Sequence, residues 1–295
     1  MENIKNELSY FTITGASGRL GSLILKSLLD LVPASQIIAT TRYPEKLTEI
    51  ADRGVNVRYA DFNKPETLPD AFFGTTRILI ISTDSADAKK RLTQVCEAVK
   101  AALKVNVSHI TIISATNANE NSLHPLLKAA WETELFLSHT GTDWTALRLN
   151  IWMDGILYLL KQLKIDNQFV IPEGAGKPCW ITKEDCARVA AYILSGKSLI
   201  KGVVELTGPD ALGLKDLAVR WSEIHKSKPE IIVLPDDALI ERLKLNGLTE
   251  TEAKGIVGAA GWILRNENVF VNDNVERITG LKPTSVDEML SKLVF

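Results

Sequence analysis

The chain is poor in several residues that carry common protein chemistries. Among 295 residues there are three cysteines, Cys96, Cys179 and Cys186. The number is odd and no two stand in CxxC spacing, which argues against a disulfide framework and against a cysteine zinc site. They read as reduced thiols of a cytoplasmic protein, with Cys96 in a core. Four histidines, His109, His124, His139 and His225, are scattered, with no HExxH pair, so no metal site is expected. Charge of either sign is not in excess: 34 Lys and Arg against 36 Asp and Glu leave a net charge of −2. No basic field calls for nucleic acid or an anionic membrane surface. No apolar run approaches the ~20 residues that a membrane span needs. The opening Met1 to Glu7 is polar and mixed in charge, unlike a secretory leader. Ser17 is not in a GxSxG elbow, so serine-hydrolase chemistry has no support. Repeats and low-complexity tracts are also missing.

What the chain does have is a glycine turn between two regular patterns. The apolar run Tyr10 to Ile13 stops at Thr14-Gly15. Gly18 and Gly21 follow at three-residue spacing, and a helical pattern begins at Leu20 with Leu23, Ile24, Leu28 and Leu31. Strand, glycine turn and helix in that order form a dinucleotide-binding element. Gly15 turns the backbone, Gly18 keeps a side chain away from a pyrophosphate, and Gly21 lets the helix approach the sheet. The first-turn N–H groups and the positive end of the helix dipole then face phosphate.

The pattern repeats down the chain. Strands are expected at 36–41, 55–60, 76–82 and 109–114, with helices between them, the longest from Ala86 to Leu103 with Leu92, Val95, Cys96, Val99, Ala102 and Leu103 inward. This alternation predicts an α/β fold, a Rossmann-type doubly wound parallel sheet whose carboxyl edge binds nucleotide. A helix at 125–138 and a strand at 142–149 complete it. Beyond Asn150 the pattern loosens into short strands and helices. We therefore expect an NAD(P)-binding domain over residues 1–150. A smaller mixed α/β C-terminal lobe at 151–295 would bind substrate, packed on the first domain and not independent.

The end of the second strand selects the cofactor. NAD-binding sheets place Asp or Glu there to accept from the ribose 2′-hydroxyl. This chain has Thr41-Arg42, with Lys46 a turn later. A guanidinium grips a 2′-phosphate by a fork of donors. NADP(H) is therefore the expected cofactor, with NAD(H) left open and Arg42 as a plain surface residue the alternative. Asp61, at the end of the third strand, either reaches an adenine amino group, with Phe62 beside the ring, or caps the helix beginning at Lys64-Pro65.

Thr14 to Gly21, Val32 to Ile38 and Thr41 to Lys46 together resemble the atypical short-chain dehydrogenases of the NmrA-like group. Within it the chain is most similar to bacterial type-2 NAD(P)H:quinone oxidoreductases and triphenylmethane reductases. The likeness extends through Tyr59-Ala60-Asp61-Phe62, Leu79 to Ser82, Trp131-Glu132-Thr133-Glu134, Trp144 to Arg148 and the ending Ser285 to Phe295. It implies bound NADPH and hydride transfer to a quinone or similar flat acceptor, and it admits a redox-sensing relative with little chemistry. Homo-oligomers are compatible with it. The implied cofactor set is Thr14, Gly15, Ser17, Gly18, Arg19, Leu20, Gly21, Arg42, Lys46, Asp61, Phe62, Ser82, Thr83, Ser114 and Lys128.

Short-chain dehydrogenases commonly use Ser and Tyr-x-x-x-Lys, the Tyr giving a proton and the Lys holding the nicotinamide ribose. Here Ser114 closes the fifth strand, and His124-Pro125-Leu126-Leu127-Lys128 falls where Tyr-x-x-x-Lys would. His124 and Lys128 share a helical face. Lys128 fits the lysine position of the family. His124 is either a proton donor or a surface residue before a helix. Related quinone reductases carry His two residues before Glu-Thr-Glu, where this chain has Ala130. A quinone tolerates that departure, because orientation of two rings with water as proton source can suffice. Asn150, Trp152, Met153 and Trp180 either line a slot for a planar substrate or belong to the core of the smaller lobe.

Overall fold

The computed structural model describes residues 9–174, 176–264 and 270–294, with side chains omitted at 261–264. Strands β1 (Phe11–Ile13), β2 (Ile37–Thr41), β3 (Asn56–Tyr59), β4 (Arg77–Ile80), β5 (His109–Ala115) and β6 (Asp143–Leu149) alternate with helices. These are α1 (Arg19–Leu29), α2 (Thr48–Asp52), α3 (Leu68–Phe72), α4 (Ala88–Lys104) and α5 (Pro125–Ser138). Then follow α6 (Met153–Leu163), β7 (Lys164–Ile165), β8 (Gln168–Pro172), α7 (Lys183–Leu194), β9 (Gly202–Leu206), α8 (Leu214–Ile224) and β10 (Glu230–Leu234). The remaining helices are α9 (Asp236–Leu245), α10 (Glu250–Leu264), α11 (Asn274–Thr279) and α12 (Val286–Ser291).

Seven strands form one sheet in the order β3-β2-β1-β4-β5-β6-β9. Every pairing in it is parallel. The order reverses between β1 and β4, the switch point at which such sheets open a crevice along their carboxyl edge. Ile78 and Ile80 of β4 and Ile110 and Ile112 of β5 are buried with Val95, Ala98, Val99 and Ala102 of α4. That near-continuous apolar character is what a strand covered on both faces requires. The face of α4 is turned from the one its spacing suggests: Gln94, Ala98 and Ala101 are buried, while Leu92 and Cys96 are only half-buried.

A single cut near residue 150 does not describe the chain. One compact unit comprises 1–149, 183–206 and 278–280; the other comprises 150–182, 207–277 and 281–295. The segment 183–206 returns because β9 pairs with β6, from Thr145↔Gly202 to Leu149↔Leu206. Its helix α7 packs on α1. Arg77 caps the end of α7, its Nε donating to the Leu194 carbonyl at 3.0 Å and Nη2 to that of Ile193 at 2.9 Å. Period and propensity could locate these elements but not the sheet they join.

In the second unit β8 pairs with β10 in parallel and with β7 antiparallel. The core there gathers Met153, Leu160, Phe169, Trp180, Leu217 and Trp221. Short β7 is absent from the sequence reading because two residues give no detectable alternation. It is held by the tight turn in which Asp166 takes φ 51°.

At the amino edge of the large sheet, Arg77, His109 and Asp143 are register partners on adjacent strands. His109 is buried, and its Nε2 lies 2.9 Å from Thr145 Oγ1. That hydroxyl donates to the Ile200 carbonyl at 2.6 Å, so it accepts from a neutral imidazole's Nε2–H. Burial first, then the Arg77 cation, lower the His109 pKa from 6.5 to about 4, with Asp143 opposing. Between these values the unfolded chain binds the proton that the folded chain refuses. Stability is therefore complete above about pH 6.5 and falls as pH drops toward 4. We expect His109→Gln to remove about 2 kcal/mol of the stability lost between about pH 7 and about pH 4.5. Urea unfolding at the two pH values measures this, and an unchanged difference would refute it.

Candidate nucleotide site

The site is built on the turn after β1. Gly15 has φ +61°, in the left-handed region that costs an L side chain roughly 1–2 kcal/mol. Its carbonyl accepts from the Gly18 N–H at 2.9 Å, closing the turn. A Cβ on Gly21 would collide with that same Gly15 carbonyl oxygen and come within 2.8 Å of its carbon. One on Gly18 would stand 3.2 Å from the oxygen. Gly18 is the N-cap of α1 and offers no side-chain cap, so the first-turn N–H groups are not covered by it. Thr14 stitches the turn to β4: its N–H donates to the Leu79 carbonyl at 3.0 Å, and its Oγ1 accepts from the Ile81 N–H at 2.9 Å.

A cavity of about 440 Å³ opens beside the turn. Of the sequence-selected residues, it is lined by Gly15, Ser17, Gly18, Arg42, Lys46, Asp61, Phe62, Ser82 and Thr83. They come from the ends of β1, β2, β3 and β4, brought together because parallel strands point their carboxyl ends one way. Thr14, Arg19, Leu20, Gly21, Ser114 and Lys128 lie outside its lining. Thr14 and Gly21 shape it from behind.

Ser17 Oγ lies 2.6 Å from Thr41 Oγ1, joining the turn to β2. Arg42 and Lys46 are exposed, and both stand over the Tyr43 ring, with the guanidinium carbon 5.6 Å and the ammonium 4.5 Å from its centroid. Such placement holds two flexible cations near one spot. Asp61 Oδ1 accepts from the Asn63 backbone N–H at 2.9 Å and its Nδ2 at 3.2 Å. It makes a local turn rather than a helix cap, and it still faces the cavity. Tyr43, Asn63 and Gln94 also line it. Sequence reasoning passed over all three; the one available signal was an amide, Gln94, on the apolar side of α4.

Further along the edge, Ser114, Arg148 and Glu205 are register partners on β5, β6 and β9. Arg148 donates Nε to Glu134 Oε1 at 2.9 Å and Nη2 to Oε2 at 2.6 Å, a two-pronged pair, and Nη1 to Glu205 at 3.2 Å. The Ser114 hydroxyl donates to Glu134 Oε1 at 2.5 Å. Its proton is therefore committed, and toward a ligand Ser114 can only accept. The Glu134 bond raises the Arg148 pKa, while burial holds the Glu205 carboxyl above its usual range. His124 is the N-cap residue of α5 with an extended backbone, as Pro125 requires, and Lys128 is exposed one turn on.

The residues read as a substrate slot separate. Met153 and Trp180 are wholly buried in the second unit's core, and Trp180 Nε1 donates to the Leu212 carbonyl at 2.6 Å. Asn150 is buried and accepts from the Ile151 N–H at 2.8 Å. Trp152 is half-buried and bridges to Ile181. Met153 and Trp180 thus pack within the second unit's core.

Comparison with known proteins gives consistent matches. The family model described as NAD(P)H-binding matches residues 15–196. Quinone oxidoreductase 2 of Escherichia coli K12 is 30% identical over 285 residues, covering 95% of this chain and 97% of that protein. An NAD(P)H azoreductase of Xenophilus azovorans is 25% identical over 271 residues, 91% of this chain and 92% of that protein. Among solved structures, the Citrobacter sp. triphenylmethane reductase complexed with NADP(H) superposes with a TM-score of 0.86 at 28% identity, over 97% of this chain and 100% of that one. The Escherichia coli NADPH-dependent quinone oxidoreductase complexed with NADPH gives 0.80 at 29% identity, over 96% and 99%.

The close approach at Gly21 yields a direct test. Gly21→Ala must push α1 off the turn, so we expect a loss of roughly 2–4 kcal/mol in denaturant unfolding. A change below about 0.5 kcal/mol would show that the contact yields freely.

Proposed function

Because the chain belongs to the NAD(P)H-binding, NmrA-like family, we propose that it is an NADPH-dependent oxidoreductase passing hydride to a quinone or similar planar, conjugated acceptor. The observation that carries this reading is the wall at the end of β2. There Arg42, Tyr43 and Lys46 line the cavity beside the glycine turn. Two cations held over one ring suit a 2′-phosphate, where an NAD-selective sheet would present a carboxylate. The Gly15–Gly18 cradle, which a Cβ would crowd, suits the pyrophosphate. NAD(H) fits the same cradle with less to hold its ribose.

A bound nicotinamide supplies the hydride. The chain's own part is to bind and orient. Lys128 holds the nicotinamide ribose, and Ser114 accepts a hydrogen bond there, fixed by Glu134 and Arg148. With no tyrosine at position 124, the proton for the reduced acceptor comes from water or from His124.

A second reading is an NADP(H)-binding redox sensor that acts by contacting another protein. It is favoured by the shortage of proton donors: position 124 is not tyrosine, position 130 is Ala, and the Ser114 proton belongs to Glu134. Purified protein mixed with NADPH and a panel of quinones, azo and triphenylmethane dyes and enones separates the two. Loss of the nicotinamide absorbance supports the reductase. Binding without turnover, with an NADP-dependent partner in a pull-down, supports the sensor.

Two substitutions test the assignments. Arg42→Ala should weaken NADPH by roughly 10- to 100-fold while leaving NADH within about threefold; equal losses would remove the 2′-phosphate from this wall. Lys128→Ala should lower turnover by about tenfold or more with an unchanged melting temperature, whereas wild-type kinetics would make Lys128 a solvated surface residue.

A further inference from the structure

We propose that Gln94 determines which base the nucleotide cavity accepts. The inference rests on the dinucleotide reading of that cavity. Gln94, buried on α4, joins the loop after β4 to the turn after β3. The Thr83 hydroxyl donates to Gln94 Oε1 at 2.6 Å. Gln94 Nε2 donates to Asn63 Oδ1 at 2.9 Å, and Asn63 Nδ2 donates to Asp61 Oδ1 at 3.2 Å. All four residues line the cavity.

The chain of bonds has one direction, and Asp61 imposes it. An ionised carboxylate only accepts, so Asn63 must turn its amide nitrogen to it and its oxygen to Gln94. Gln94 must then meet that oxygen with its own nitrogen, which leaves its oxygen for Thr83. Thr83 is left with no choice but to donate. Flipping either amide sets oxygen against oxygen within the chain.

The consequence falls on the cavity. The Thr83 proton is drawn into the wall, so its oxygen offers only lone pairs to a ligand. Asp61 receives both Asn63 donors on Oδ1, which leaves Oδ2 for the ligand. Thr83 Oγ1 and Asp61 Oδ2 make an acceptor pair at this end of the cavity, whose lining also includes Lys90. The pair suits a ligand edge that donates, such as a 6-amino purine beside a ribose hydroxyl. It repels a 6-oxo purine, whose oxygen would face the carboxylate. Gln94 is a positioning residue here: without its two-ended amide, Thr83 and Asn63 are free to turn, and the Thr83 oxygen is no longer confined to accepting.

Fluorescence titration with NADPH and with reduced nicotinamide hypoxanthine dinucleotide phosphate tests this. Wild-type protein should favour NADPH by about tenfold or more. Gln94→Met keeps the volume and removes both bonds; the preference should fall to about twofold. The NADPH over NADH ratio, read at Arg42, should not move. Asn63→Ala, at an exposed position, breaks the same chain without threatening the fold and should compress the ratio equally. A base ratio unchanged in both variants overturns the inference, as does a wild-type ratio near one with tight NADPH binding. Wild-type protein that binds neither dinucleotide overturns the dinucleotide reading itself and the inference with it.

Discussion

The contact between Gly21 and the Gly15 carbonyl sets the glycine turn around which the nucleotide cavity is built. The oxygen occupies the space a Cβ would need, so α1 can begin directly against the turn. Its first turn has no side-chain cap from Gly18. Thr14 holds the same turn to β4 on the other side. Strand, turn and helix become one rigid unit, and the cavity walls are whatever β2, β3 and β4 present around it. Several of its polar wall groups are tied to one another: Ser17 to Thr41, Thr83 to Gln94, Asn63 to Asp61.

A second polar system lies farther along the same edge and uses a different device. Ser114, Arg148 and Glu205 meet because β5, β6 and β9 are in register. Glu134 reaches them from α5. A buried ion pair of this kind gives little net stability, since desolvation offsets much of the attraction. Its effect is geometric. The guanidinium fork fixes the Glu134 carboxylate, and the carboxylate fixes the direction of the Ser114 hydroxyl. The serine is left as an acceptor, which narrows the role it can take in any reaction at this edge.

Particular residues show how much could be read without coordinates. The glycine turn was legible because strand, glycine and helix periods change abruptly there. The parallel sheet was legible from alternation, and Arg42 and Lys46 from their distance past a strand end. Gln94 was not, because a single amide on an apolar face has no pattern to mark it. Tyr43 was passed over because its contribution lies in what stands above its ring. By residue type alone Met153 and Trp180 fit either a ring-binding slot or a core, and the structure buries both in the second unit's core.

What the amino-acid order determined by itself is local and periodic: the turn after β1, the helix at 125–138 with its proline start, the strand ends and the charges just beyond them. These follow from backbone sterics and from side-chain spacing within a few residues. Tertiary structure alone decided the rest. The return of 183–206 to the first sheet depends on β9 finding β6, partners 57 residues apart in sequence at the register Thr145↔Gly202. The direction of the Thr83–Gln94–Asn63–Asp61 chain depends on four side chains from three elements meeting. Hydrogen-bond polarity is a property of the assembled wall, because an amide or hydroxyl has no fixed direction until its neighbours assign one.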